Sequence, residues 1–271
     1  MKLGLVTYNL ARDWDIETLI SNCKASGFEG VEPRTTHAHG IEVNLSKDDR
    51  HKIRRQFEDA GIALCGLGSA QEYHSTDLSE VNRNIEETKA FVKLAADMGI
   101  PGVKVRPNGV QTDQGVPLEK TLEQIGQAAG KCAAFAADFG VQIRMEVHGR
   151  VTCQVPNMKT ITDVADHPNF YVCWNCNPGE TVDGSIRQNF DLLKNKIAEV
   201  HIQDIGDPRY PWQDLVSRLT GIQYDGYCCA EIQPNNEPVR LMQYYNALWR
   251  AYLLIRQKKT ALKTALKSGG V

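Results

Sequence analysis

Four short apolar runs in the second half of the chain each end in polar residues set two apart: Glu146 and His148, Asn175 and Asn177, His201 and Gln203, Glu231 and Gln233. Residues two apart in an extended strand share a face, so each pair projects to the same side of its strand. Two earlier runs carry the same device, Glu32 with Arg34 and Lys104 with Arg106. One buried carboxylate on one strand is ordinarily a salt-bridged structural residue. Glu146, Asn175, His201 and Glu231 on four successive strands ask for more, because burying several charged groups together is costly unless they pair or bind a metal. They offer three oxygen donors and one nitrogen. That set suits one divalent ion and does not itself choose among Mn²⁺, Mg²⁺, Co²⁺ and Zn²⁺; Mn²⁺ is the first expectation. Two carboxylates balance its charge and leave coordination positions for substrate or water.

The elements that must position these residues repeat eight times as an apolar run, a polar loop and a segment of helical periodicity. The strands are expected at Leu3–Tyr8, Gly30–Arg34, Ala63–Gly68, Val103–Arg106, Gln142–His148, Tyr171–Asn175, Ala198–Gln203 and Gly226–Ile232. The helices are expected at Trp14–Ser26, Lys47–Ala60, Ser79–Met98, Leu118–Phe139, Met158–Ala165, Ser185–Asn195, Trp212–Leu219 and Pro238–Lys258. Gly27, Gly61, Gly99, Gly140 and Gly221 stand where helix C-termini should fall. Asp13, Ser46 and Ser79 stand near helix starts. Eight β-then-α units imply a parallel sheet covered by helices, and eight strands close into a barrel. The fold class is therefore α/β, a single (β/α)₈ TIM barrel over residues 1–257, with residues 258–271 a C-terminal tail, helical or frayed. In such a barrel the C-terminal strand ends carry the active site, which is where the polar pairs lie.

The 271 residues match the roughly 250 of a typical TIM barrel. A net charge of -2 gives no global field for a nucleic-acid backbone, so nucleic acid is not an expected partner. No apolar run approaches the ~20 residues of a membrane span, and Met1 to Val6 is too short for a signal peptide and reads as a strand. A cytoplasmic location is the expectation. The eight cysteines include a single C-x-x-C, Cys173 to Cys176, inside apolar strand-like sequence, so they are expected as reduced packing residues.

At the strand ends the sequence resembles the xylose-isomerase-like TIM-barrel superfamily of sugar isomerases and epimerases, over nearly the whole chain from Lys2 to about Arg256. The resemblance is carried by Phe28-Glu29-Gly30-Val31-Glu32, Glu146-x-His148, Val200-His201-Ile202-Gln203-Asp204 and Glu231. It implies Glu146, Asn175, His201 and Glu231 as metal ligands, with Glu146 and Glu231 also exchanging a proton beside a substrate carbonyl through an enediolate. It departs from the family at strand six, where Asp-x-x-His becomes Asn175-Cys176-Asn177-Pro178, and Asn177 is an alternative ligand to Asn175. Gln203 replaces a lysine common in relatives. His148, Lys104, Arg106, Asn177, Gln203, His74, His37 and Glu32 are the expected substrate-side residues, although Arg106 could instead pair with Glu32. Trp14 and Trp212 could form a rim. The substrate implied is a small sugar-like molecule, and the resemblance allows a homo-oligomer for which the sequence carries no interface signal. Three other readings remain: a metal-dependent lyase or dehydratase on keto-sugars, inositols or keto-glycosides, a non-catalytic sugar-binding barrel, and an abasic-site endonuclease. The lost Asp-x-x-His and the acidic balance disfavour the last.

Overall fold

In the computed structural model the backbone is described for residues 1–268 and side chains for residues 1–256. The strands are β1 Lys2–Val6, β2 Gly30–Glu32, β3 Ala63–Leu64, β4 Leu67–Gly68, β5 Gly102–Val105, β6 Gln142–Glu146, β7 Phe170–Trp174, β8 Ile197–Ile202 and β9 Tyr227–Ala230. All pair in parallel, in the order β3-β2-β1-β9-β8-β7-β6-β5-β4. The two ends of that order, β3 and β4, are halves of one interrupted strand, so the sheet closes on itself into the expected α/β TIM barrel. The helices are α1 Ile16–Ser26, α2 Lys47–Ala60, α3 Leu78–Met98, α4 Leu118–Ala137, α5 Val155–Ala165, α6 Arg187–Leu193, α7 Trp212–Gly221 and α8 Pro238–Ser268.

The third strand breaks because of what reaches it from across the barrel. Arg144 Nη1 donates to the Cys65 carbonyl at 3.0 Å, and a Cβ on Gly66 would collide with the Glu199 carboxylate. The same complementarity runs around the interior. Gly30 and Gly102 make room for Tyr227 and Arg144, which come from β9 and β6. The outward residues of the strands, Leu5, Val31, Val103, Val172 and Val200 among them, are fully buried beneath the helices. This is the core that near-continuous apolar strands predict.

Helix ends follow local chemistry, with some shifts from expectation. Asp15 caps α1 by accepting from the Thr18 N–H at 2.8 Å, Ser46 caps α2, and Asp77 caps α3. Two of the expected caps, Asp13 and Ser79, thus lie two residues from the working ones. Gly27, Gly61 and Gly99 take left-handed φ of 73°, 70° and 68° and close three helices as expected, whereas Gly221 is the last residue of α7 itself. The expected end at Lys258 is passed, since α8 runs to Ser268, and residues 269–271 of the expected tail lie outside the described residues. Trp212 is buried, not a rim residue, because its indole N–H turns in to the Asp207 carbonyl at 2.9 Å. No helix among the described residues is long and apolar enough to cross a membrane.

Candidate active site

Strand register brings three of the predicted side chains to one point. β6 ends in Glu146, β8 carries His201 one residue before its end, and Glu231 follows β9 directly. Their ligand atoms lie within 4.8 Å of one another. Glu146 and His201 are buried, while Glu231 reaches a cleft of about 630 Å³ that Tyr8, Asn9, Gln203, Asp204 and Gln233 also line.

The His201 ring lies between two carboxylates. Its Nε2 is 2.6 Å from Glu32 Oε2 and its Nδ1 is 3.3 Å from Glu146 Oε1. A neutral imidazole can donate from one nitrogen only, so one ring lone pair would face a carboxylate oxygen unless a proton or a metal ion stands between them. Without a metal the proton does this. Burial opposes a charged ring, but contacts with Cys173, Glu32 and Glu146 hold the His201 pKa well above the histidine range. Lys104, also buried, donates to Glu146 Oε2 at 2.8 Å. Burial raises the Glu146 carboxyl, yet Lys104 and His201 overcome it and hold it well below the usual carboxylate range. Glu231 goes the other way, raised chiefly by burial.

A second buried pair sits one step deeper, Arg144 Nη1 with Glu199 Oε1 at 3.3 Å. Strand alternation makes it legible afterwards, since Arg144 and Glu199 precede Glu146 and His201 by two residues. Charge around the site can now be summed. Within the cluster and the pair directly beneath it, the carboxylates of Glu32, Glu146, Glu199 and Glu231 stand against the ammonium of Lys104 and the guanidinium of Arg144, which leaves two negative charges before the half-buried Arg34 nearer the mouth is counted. One divalent ion with a neutral His201 cancels them. Protons are the other means: besides His201, Glu199 is pushed up to about 7 by burial and by Glu32.

The two asparagines separate clearly. Asn177 is engaged at both ends, its Nδ2 donating to the Val147 carbonyl at 2.6 Å and its Oδ1 accepting from Gln203 Nε2 at 3.4 Å. Asn175 is 2% exposed and its Oδ1 has no hydrogen-bond partner. A buried carbonyl oxygen without a donor suits a cation. Together with the charge count and the His201 lone pair, this makes the residues fit a divalent metal, which Glu146, His201 and Glu231 could hold at their meeting point, with Asn175 the candidate for a fourth donor.

The other predicted residues divide. Glu32 and Lys104 belong to the centre through His201 and Glu146. His148 stands two residues beyond the end of β6 with a buried Nδ1 that lacks a partner. Gln203 lines the cleft. Arg106 does not cross to Glu32: its Nη2 donates to Glu72 at 2.7 Å, because a loop carboxylate lies nearer than the occupied Glu32. His74 lies by that same loop, Nδ1 3.7 Å from Glu72. His37 is buried, with its Nδ1 2.8 Å from Thr7 Oγ1 and its ring stacked on Tyr8. Burial and Arg34 pull its pKa down to about 4.

One supporting group gave no sequence signal. Glu180 follows Pro-Gly in a loop, yet it is fully buried, accepts from Tyr210 Oη at 2.8 Å and lies 3.4 Å from Asn177 Nδ2. Tyr210 in turn accepts from the Trp174 indole N–H at 2.8 Å. This chain braces the loop after β7, where Cys176 adopts a positive φ of 53°.

Residues 20–247 match the family described as the xylose isomerase-like TIM barrel, and the chain belongs to that family. No curated protein matches the sequence. Among solved structures, an L-ribulose 3-epimerase superposes with a TM-score of 0.81 at 15% identity, over 97% of this chain and 98% of that one. The 3-keto-D-glucoside 4-epimerase YcjR from E. coli gives 0.77 at 14% identity, over 93% and 99%. The IolI protein, solved with a zinc atom, gives 0.71 at 17% identity, over 98% of both chains. At these identities the likeness is one of fold.

Proposed function

We propose that this protein is a divalent-metal-dependent isomerase or epimerase of a small sugar or keto-sugar, working by removal of a proton next to a carbonyl. The observation that carries the reading is the convergence of Glu146, His201 and Glu231 on one point at the barrel mouth, with the unpartnered Asn175 Oδ1 as a fourth donor. The names of the superposed structures, sugar epimerases and a zinc-bearing barrel, agree with it.

A divalent ion in this site would polarise a substrate carbonyl and make the neighbouring C–H acidic. The chain's residues divide the remaining work. Glu231 faces the cleft, carries no lysine or arginine partner, and its carboxyl is raised by burial; it takes the proton. Glu146, on the opposite wall, relays one back: the Lys104 ammonium, 2.8 Å from its Oε2, supplies the proton that Glu146 delivers, and the proton taken by Glu231 passes to solvent, from which Lys104 is recharged. Glu32 fixes the His201 ring through Nε2. Gln203 and His148 offer hydrogen bonds to substrate hydroxyls.

The test is metal content of the purified protein with Glu231→Ala as control, followed by solvent-deuterium exchange into keto-sugars. Near-stoichiometric metal in the native protein that the variant loses, with exchange on at least one ketose, is the expected result. Absence of metal after reconstitution with Mn²⁺, Co²⁺ and Zn²⁺ would overturn the reading in favour of a sugar-binding barrel.

A further inference from the structure

We infer that the substrate carries an anionic group, a carboxylate or a phosphate, and that Arg34 is the residue that binds it. The inference rests on the reading of the site above and names its substrate class. Arg34 stands two residues beyond Glu32, which touches His201, and a bridge to Gly68 keeps it on the strand's line. At ~3.3 Å per residue it is therefore about 6.6 Å further toward the mouth on the same inward face. Thr7 Oγ1 accepts from its backbone N–H at 2.9 Å. Its guanidinium lies 5.1 Å over the ring of Tyr8, which lines the Glu231 cleft.

What marks Arg34 out is the lack of a partner. The other cations near the barrel axis are matched: Lys104 with Glu146, Arg144 with Glu199, Arg106 with Glu72. The half-buried Arg34 side chain has neither a hydrogen bond nor an ion pair among the described residues; its guanidinium lies over the Tyr8 ring. A guanidinium has five N–H donors in a fork that matches carboxylate and phosphate geometry. Even half-burying it with none of them used by the protein is unfavourable. Its surroundings are positive as well. Burial and the guanidiniums of Arg106 and Arg12 draw its pKa down, opposed by Tyr8 and Glu146. An anion on the substrate, at the end away from the reacting carbon, satisfies the fork and offsets that repulsion.

The experiment is calorimetric titration of the full chain, with and without added Mn²⁺, using D-fructuronate, D-fructose 6-phosphate and neutral D-fructose. The wild type should bind at least one acidic ketose about tenfold or more tightly than fructose, as a charge-assisted bidentate pair implies. Whichever acid binds better identifies the anion. Arg34→Gln should collapse the acid-to-neutral ratio to about one, Arg34→Lys should leave part of it because charge without the fork remains, and Arg12→Gln should reduce it less. Equal binding of acidic and neutral ketoses, binding of none, or a ratio unchanged in Arg34→Gln would each overturn the inference. Should Arg34→Gln fail to fold, the Arg34→Lys ratio decides. An Arg34-dependent acid preference in a protein that neither holds metal nor exchanges deuterium would sustain this inference and sink the isomerase reading alone.

Discussion

Replacing Glu32 by Gln tests whether the carboxylate behind His201 serves the metal centre. Glu32 is fully buried and accepts from His201 Nε2 at 2.6 Å. A histidine that gives its Nε2 proton to a carboxylate keeps the Nδ1 lone pair free and points it toward Glu146, the direction in which a metal must lie. Glutamine has the same length and can still accept through its oxygen, so geometry survives and charge is lost. A hydrogen bond to a charged group contributes about 1.5–3 kcal/mol and a neutral one about 0.5–1.5. The difference, ~1–1.5 kcal/mol, is roughly a tenfold loss of metal affinity. Glu32→Leu removes the acceptor altogether and should lose about 10- to 100-fold, the range typical of carboxylates behind a ligating histidine. The assay is titration of metal-free protein with Mn²⁺ or Co²⁺ by calorimetry, with the exposed Glu29→Gln as control. Affinity in Glu32→Gln within about twofold of wild type, while Glu231→Ala abolishes binding, would refute the role given to Glu32.

Further outcomes follow from neighbouring groups. Lys104→Met leaves the buried Glu146 carboxylate without its 2.8 Å partner, so metal-free protein should lose about 3–5 kcal/mol of stability. Saturating metal should raise its melting temperature more than it does in the wild type, as scanning calorimetry would show. Asn177→Asp replaces an amide that donates to Val147; it should lower the urea midpoint while changing metal affinity little. Burial pushes the Glu180 carboxyl from 4.5 up to about 8, so the folded protein holds a proton where the unfolded chain has lost it. Its contribution is complete below about pH 4.5 and is lost as pH rises through 8, by up to ~5 kcal/mol at about 1.4 kcal/mol per pH unit. Glu180→Gln should remove that slope and be the more stable protein at pH 8.5, measured by urea unfolding.

How far the sequence could be read depended on the range of each interaction. Buried parallel strands are short apolar runs, so all eight βα units were visible, and period-two alternation placed Glu32, Lys104, Glu146, His201 and Glu231 on the inward face. Which inward residue meets which depends on the stagger of the closed barrel, and no local pattern encodes that. Arg106 therefore found Glu72 instead of Glu32. The difference between Asn175, whose amide oxygen lacks a donor, and Asn177, whose oxygen has one, also needed coordinates. Glu180 carries no periodicity and no charged partner within its loop; only the packing of Tyr210 and Trp174 around it makes it interior.

The asparagine at 175 makes sense through charge. Glu32, Glu146, Glu199 and Glu231 exceed Lys104 and Arg144 by two negative charges, already the full complement for one divalent ion. An aspartate at 175, as the family pattern would have it, makes the excess three, and the extra charge must be carried by a proton or by lost stability. Asn175 supplies an oxygen without that burden, which its 2% exposure would make severe. Asn175→Asp should accordingly bind metal more tightly, by roughly tenfold, since a charged donor replaces a neutral one. Its metal-free form should be less stable than the wild type at pH 8, where protons are scarce, and should recover near pH 5. Equal stability at both pH values would mean that the four carboxylates are not all ionised in the folded protein, and the case for a divalent ion from charge balance would fail with it.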